Sequence, residues 1–131
     1  MVSSAGLPDI PLIIDVEAGS LKDSVAADTL QARLLASLQF LEQQSGRKPI
    51  VYTSLYFADT YLRNAAFADY PLWLAEYSGQ PAPVLPQTWK EKGHTFWQKS
   101  ASYVIDAERT DYDVFNGSGA DLAGFVTSGP R

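Results

Sequence analysis

The sequence contains no cysteine and only one histidine. The lack of cysteine excludes disulfides, a zinc–thiolate site and a cysteine nucleophile. His94 has no second histidine or cysteine with which to share a metal, so we interpret it as a surface loop residue rather than a ligand. Ser54 follows a predicted strand, but nothing marks His94 as its neighbour, so a serine-nucleophile site is a weak hypothesis.

Positive charge is also scarce, because ten Lys and Arg residues stand against fifteen Asp and Glu residues, for a net charge of −5. The basic residues are scattered and form no run, whereas a nucleic-acid binder normally shows a basic face. No apolar stretch approaches the ~20 residues of a membrane span. Residues 1–6 show no signal peptide, because they lack a basic region followed by an apolar one. We expect neither a nucleic acid nor a membrane as partner.

What the chain does have is a length and composition suited to one packed domain over residues 1–131, with 46% hydrophobic residues. Residues 10–17 are a nearly continuous apolar run that predicts a buried strand. A helix follows, with Asp28 or Thr29 as its cap and Gly46 as its stop. Its leucines recur at helical spacing: Leu30, Leu34, Leu38 and Leu41.

The rest of the chain alternates less regularly. Residues 49–52 and 71–75 predict strands on either side of a helix at 56–67, whose buried side would carry Tyr61, Leu62 and Ala65. Residues 78–88 contain three prolines and predict a loop. Further segments predict two strands, a turn and a short terminal helix: 96–98, 112–115, 116–119 and the residues around Leu122 and Phe125. The alternating opening predicts an α/β fold with a parallel sheet or barrel.

Two acids stand at the end of the first predicted strand. Asp15 and Glu17 are two residues apart, so their side chains point to the same face. In parallel barrels the carboxyl end of a strand is where catalytic residues collect. Two close carboxylates cannot both ionise easily, so one can stay protonated as an acid, as glycosidic cleavage requires. Taken alone, the pair is more often a solvated edge, a helix cap or a metal ligand pair.

Five segments in order carry a more specific signal: LPDIPLIIDVE, GRKPIVYTSLYF, YPLWLAEYSGQPAPVLPQTW, FWQKSASYVID and TDYDVFNGSGADL. Together they resemble glycoside hydrolase family 25, the muramidases of phage endolysins and bacterial autolysins, over nearly all of residues 7–126. The resemblance implies a lysozyme-like peptidoglycan hydrolase that acts outside the cell or at the cell wall without a cofactor. Its reaction would be retaining cleavage of the β-1,4 bond between N-acetylmuramic acid and N-acetylglucosamine.

The resemblance also implies roles for individual acids. Glu17 matches the general acid. Asp15 matches the second carboxylate, which either attacks the sugar or steadies an intermediate formed by the acetamido group of the substrate. Asp111 matches the acid of the last barrel strand, although it could instead be a turn acid, and Asp113 stands where the family often has asparagine.

Aromatic and amide side chains match positions along the substrate groove of the family: Tyr52, Trp73, Tyr77, Trp97 and Gln98. Aromatic residues in apolar strands are usually core residues, so Trp73 and Trp97 have that alternative interpretation. Trp89 follows the proline-rich loop, and we interpret it as a structural or rim residue.

The resemblance begins at what looks like the fourth strand of an eight-stranded barrel, and a further acid on the first strand has no counterpart. It therefore implies a partial TIM-like (β/α) barrel of about five mostly parallel strands, with two main helices and a short C-terminal helix. A sheet of five strands leaves open edges that invite pairing with another chain. We therefore expect either a homo-oligomer or a complementing N-terminal segment. A non-catalytic module that binds cell-wall glycan, or serves assembly, is the alternative function.

Overall fold

Five strands lie side by side in chain order and form one curled sheet in the computed structural model, which describes residues 11–17 and 26–127. The strands are β1 (Ile13–Asp15), β2 (Ile50–Ser54), β3 (Leu72–Ala75), β4 (Phe96–Ile105) and β5 (Glu108–Phe115). The expected α/β class and partial barrel are confirmed.

The sheet is mixed, because β1 to β4 pair in parallel whereas β5 runs antiparallel to β4. Asp106 and Ala107 join β4 to β5 with φ angles of 50° and 67°. A two-residue turn with positive φ joins antiparallel strands, whereas a parallel pair needs a long crossover. Both strands extend well beyond the predicted 96–98 and 112–115. The prediction was too short because the outer halves of the strands are exposed and lack the continuous apolar run that marks a buried strand.

In the described part of the chain, three α-helices accompany the sheet: α1 (Ala27–Ser45), α2 (Leu55–Tyr61) and α3 (Gly119–Thr127). Gly46 ends α1 in the left-handed conformation and donates its N–H to the carbonyl of Glu42, as predicted. The predicted start is wrong, because the N-cap is Ala26 and Asp28 lies inside the first turn. None of the helices in the described ranges has the length and apolar character that a membrane span requires.

The helix predicted over 56–67 is two separate elements. Ser54 caps α2 by accepting the N–H of Phe57, and α2 ends at Tyr61. Asn64 then starts a 3-10 helix over Ala65–Asp69 by accepting the N–H of Ala66. Polar caps of this kind compete with the helix backbone, which explains the break. Leu62 is buried as predicted, but Ala65 is exposed, Tyr61 is only partly buried, and Phe57 and Phe67 supply the remaining contacts.

The hydrophobic core lies between the helices and one face of the sheet. Leu34 and Leu38 of α1 pack there with Val51 of β2, and with Leu72 and Leu74 of β3. The continuous burial predicted for β1 is only partial: Val16 is buried, but Ile13 is 42% exposed. The reason is that β1 has a strand neighbour on one side only among the described residues.

Replacing Leu38 by alanine tests this core. Leu38 is fully buried in α1, whereas Phe40 of the same helix is 59% exposed. We expect Leu38→Ala to lower the free energy of unfolding by about 2–5 kcal/mol, because it leaves a cavity. Phe40→Ala, which removes more atoms, should change it by about 0.5 kcal/mol or less. Urea denaturation measures both, and equal losses would contradict the packing described.

Candidate active site

The register of the strands collects polar and aromatic side chains on the sheet face opposite the core. Asp15 pairs with Tyr52, and Tyr52 pairs with Trp73. Gln98 pairs with Asp113, two residues beyond the partner of Trp73 on β4. Cross-strand partners point to the same face, as do residues two apart on one strand. These five side chains therefore share one face of the sheet.

A buried amide holds two tyrosines at the centre of this face. The Tyr52 hydroxyl donates to Gln98 Oε1 at 2.5 Å, and the Tyr77 hydroxyl donates to the same oxygen at 2.7 Å. Gln98 is only 4% exposed, whereas Tyr77, just beyond β3, is 56% exposed. The two phenol oxygens keep lone pairs with which to accept hydrogen bonds from a ligand.

The pKa values of the same two tyrosines depend on burial and on the nearby acids. Burial raises the pKa of Tyr52, and the charges of Glu17 and Asp15 raise it further. Burial also raises the pKa of Tyr77, to which the charges of Asp111 and Glu17 add. Both phenols therefore stay protonated at neutral pH and remain donors to Gln98. Acids from β1 and from β5 thus act on one pair of tyrosines.

Trp73 and Asp113 form a second polar contact on this face. The indole Nε1 of Trp73 donates to Asp113 Oδ1 at 2.8 Å, and the Trp73 ring meets the Tyr52 ring edge-on at 5.7 Å between centroids. Burial raises the pKa of Asp113 and the charge of Asp111 adds to this, while the Trp73 hydrogen bond opposes it. Asp113, which the sequence left ambiguous, is thus fixed to the aromatic wall of the site.

The structure does not bring Trp97 to this cluster. Its neighbour Gln98 points to the polar face, so Trp97 lies on the opposite face, 5% exposed, with Nε1 donating to the carbonyl of Glu76 at 2.8 Å. There it borders an open cavity of about 260 Å³ together with His94 and Lys99. His94 is half-buried, and burial lowers its pKa, so it is neutral at pH 7.

Trp89 is fully buried and donates its indole N–H to the carbonyl of Tyr70 at 3.0 Å, which makes it structural.

Glu76 is a residue that the sequence reasoning missed. It is only 6% exposed and adjoins Tyr77. An acid directly after the apolar run of β3 was the available signal, since the same pattern drew attention to Asp15 and Glu17.

Asparagine at position 113 separates the charge of this residue from its hydrogen bond. The folded-state pKa of Asp113 is raised, so ionisation costs stability as pH rises through that pKa. Asp113→Asn can still accept from Trp73 without an ionised group. We expect it to raise Tm at pH 7 by about 1–3 °C and to lose that advantage below about pH 4. Thermal unfolding across pH measures this, and a lower Tm for the variant at pH 7 would contradict it.

Comparison with known proteins identifies the family of the chain. The model of glycosyl hydrolases family 25 matches residues 3–107. The match includes Asp15 and Glu17 and ends before Asp111 and Asp113. A family 25 lysozyme from Aspergillus fumigatus is similar in structure, with a TM-score of 0.78 and 28% identity over 95% of this chain and 61% of that one.

Two further proteins are similar to this chain, one in structure and one in sequence. A muramidase from Trichobolus zukalii has a TM-score of 0.74 and 28% identity over 90% of this chain and 56% of that one. The uncharacterized protein YegX of Escherichia coli K12 is 32% identical over 120 residues, which are 90% of this chain and 41% of YegX. The chain thus spans about two fifths of the length of the curated relatives that it matches. With a family model covering most of its residues, and the fold of a lysozyme half-barrel, the chain belongs to glycoside hydrolase family 25.

Proposed function

We propose that this chain carries the active site of a peptidoglycan hydrolase, an N-acetylmuramidase that cleaves the β-1,4 bond between N-acetylmuramic acid and N-acetylglucosamine. One observation carries the proposal: Asp15 lies on the sheet face on which the hydroxyls of Tyr52 and Tyr77 both donate to Gln98. Membership of family 25 supplies the reaction class. The substrate would place the enzyme at the cell wall or outside the cell.

In the proposed reaction, Glu17 donates its proton to the glycosidic oxygen as the bond to the anomeric carbon breaks. Asp15 stabilises the positive charge that develops on that carbon, by attacking it or by steadying an intermediate formed by the acetamido group. Water then attacks the anomeric carbon, breaks its bond to Asp15 or to the acetamido oxygen, and gives one proton to Glu17, which restores the acid. Asp111 orients or tunes the pair. Carboxylates and water complete this reaction without a cofactor.

The aromatic wall would hold the sugar. Sugar rings present flat C–H faces that pack on aromatic rings, and Trp73 and Tyr52 offer adjoining rings on the polar face. The hydroxyl oxygens of Tyr52 and Tyr77 can accept from sugar hydroxyl or amide groups, because their protons are directed to Gln98. Trp97 is not included in this binding surface, because it lies on the other face of the sheet.

The release of reducing ends from purified peptidoglycan at mildly acidic pH tests the proposal. We expect the chain to release them and Glu17→Gln to lower kcat by about 10²–10⁴-fold, since it removes the proton donor. Glu91→Gln is the matched control, because Glu91 is an exposed carboxylate after the 3-10 turn at Gln87–Trp89, on another part of the chain. It should leave kcat unchanged.

No release by the wild-type chain at high concentration, with Glu17→Gln behaving the same, would contradict the proposal. Binding of glycan strands that survives Glu17→Gln, without turnover in either form, would favour the non-catalytic wall-binding module instead. Circular dichroism of each variant excludes unfolding as the cause.

We also propose that a second polypeptide pairs with this half-barrel, in the first place another copy of the chain. The hairpin of β4 and β5 exposes Tyr103, Val104 and Ile105 at 46%, 59% and 54%. They belong to β4, which pairs with β3 only at Phe96, Trp97 and Gln98, so among residues 11–17 and 26–127 the outer half of β4 has no strand on that side, and β5 has none on its outer side. A long apolar strand edge favours pairing with another strand. The alternative occupant of that edge is a complementing N-terminal segment.

Light scattering over a range of concentrations tests the pairing with a second copy. We expect the average mass to rise with concentration, and Val104→Lys to shift the rise to higher concentration, because charge on an edge strand opposes pairing. A monomer mass at every concentration for both proteins would contradict self-association.

A further inference from the structure

Glu76 is a buried carboxylate that accepts two backbone N–H groups and also hydrogen-bonds to the Ser78 side chain. It follows β3 directly and is 6% exposed. One carboxylate oxygen accepts the N–H of Ser78 at 2.6 Å, and the other accepts the N–H of Val84. Burying a carboxylate is unfavourable unless hydrogen bonds satisfy it, so this side chain stabilises the folded protein only with those two amides in place.

The two amides lie at opposite ends of one loop. Residues 78–84 contain Gly79, with φ of 73°, and the prolines Pro81 and Pro83, which have no N–H to donate. Few backbone hydrogen bonds can therefore hold this loop by itself. The Glu76 carboxylate closes it by joining Ser78 to Val84.

The backbone of Glu76 fixes this clamp to the sheet. Its N–H donates to the carbonyl of Gln98 at 3.1 Å, and its carbonyl accepts the indole N–H of Trp97 at 2.8 Å. Tyr77, the next residue, donates a hydrogen bond from its hydroxyl to Gln98 Oε1 at 2.7 Å. The loop, β4 and the exposed tyrosine of the site thus meet at Glu76.

We propose that Glu76 is a positioning residue: by closing the loop at 78–84 it fixes the backbone next to Tyr77, holds the Tyr77 hydroxyl on Gln98, and so acts on the substrate through Tyr77. The proposal rests on the glycan-cleaving function proposed above. Glu76 does not reach the polar face itself, because neighbouring residues of an extended chain point to opposite sides. Its role is therefore distinct from that of Glu17 and Asp15.

Glu76→Gln is the direct test. Glutamine keeps one acceptor oxygen but places an NH₂ group against the other amide, so one end of the loop is released. We expect KM for soluble peptidoglycan fragments to rise about tenfold, with kcat changing much less, since the proton donor is untouched. The matched control, Glu91→Gln, should leave both constants unchanged.

A double variant separates positioning from general weakening of the fold. If Glu76 acts through Tyr77, then Glu76→Gln should add little to the KM of Tyr77→Phe, because the two residues form one unit. Full additivity of the two effects, or an unchanged KM in Glu76→Gln, would overturn the proposal.

Val84 provides a second pair of variants if Glu76→Gln does not fold. Val84→Pro removes the N–H that Glu76 accepts, whereas Val84→Ala keeps it and trims a side chain that is 47% exposed. We expect Val84→Pro to raise KM and Val84→Ala to leave it unchanged. Equal values for the two variants would overturn the role of the clamp.

Amide exchange distinguishes failure of this proposal from failure of the proposed function. A wild-type chain without turnover would contradict the hydrolase function, but exchange at Ser78 and Val84 can still be measured. Faster exchange at both amides in Glu76→Gln, with exchange in β2 unchanged, would support the clamp. Unchanged exchange would overturn it, whatever the activity.

Discussion

The parallel register of β1 to β4 is the constraint on which the site depends. It sets Asp15, Tyr52 and Trp73 side by side, although they are far apart in the sequence. Gln98, on the next strand, then lies where both tyrosine hydroxyls reach one amide oxygen. A shift of one residue in any of these strands would turn its side chains to the other face and exchange site residues for core residues.

The three tryptophans lie in different environments on the two sides of the sheet. Trp89 is wholly enclosed by the core, with its N–H satisfied by a backbone carbonyl. Trp97 lies on the face away from Gln98, where Lys99 sits 4.9 Å from its ring centroid and Glu76 accepts its N–H. Trp73 alone of the three tryptophans has its indole N–H on a carboxylate of the polar face. The sheet therefore separates side chains that stabilise the fold from those that can meet a sugar.

The sequence was most informative where one local pattern decided the structure. The leucine repeat predicted α1 and its buried Leu34 and Leu38, and Gly46 predicted its end. The short apolar runs likewise predicted the positions of the five strands, and with them the α/β class. These features depend on spacing within a single element, which the sequence states directly.

The remaining features depend on contacts between distant segments. The antiparallel direction of β5 follows from a turn at Asp106–Ala107 that lacks the glycine usual at such positions. Trp97 lies on the core face because it pairs with Leu74 of β3. The sequence around Trp97 does not show this pairing. The role inferred for Glu76 depends on a hydrogen bond from the N–H of Val84, which is eight residues away in the sequence. Local patterns cannot show such returns of the chain.

The central claim is that the polar face, and not the opposite face with Trp97, binds the glycan. NMR of the three indole N–H signals during titration with chitin oligosaccharides tests it most directly, because each indole has a different, known acceptor. The account predicts that the Trp73 signal moves with saturation while those of Trp89 and Trp97 stay in place. A Trp73 signal that does not move while that of Trp97 does would contradict it.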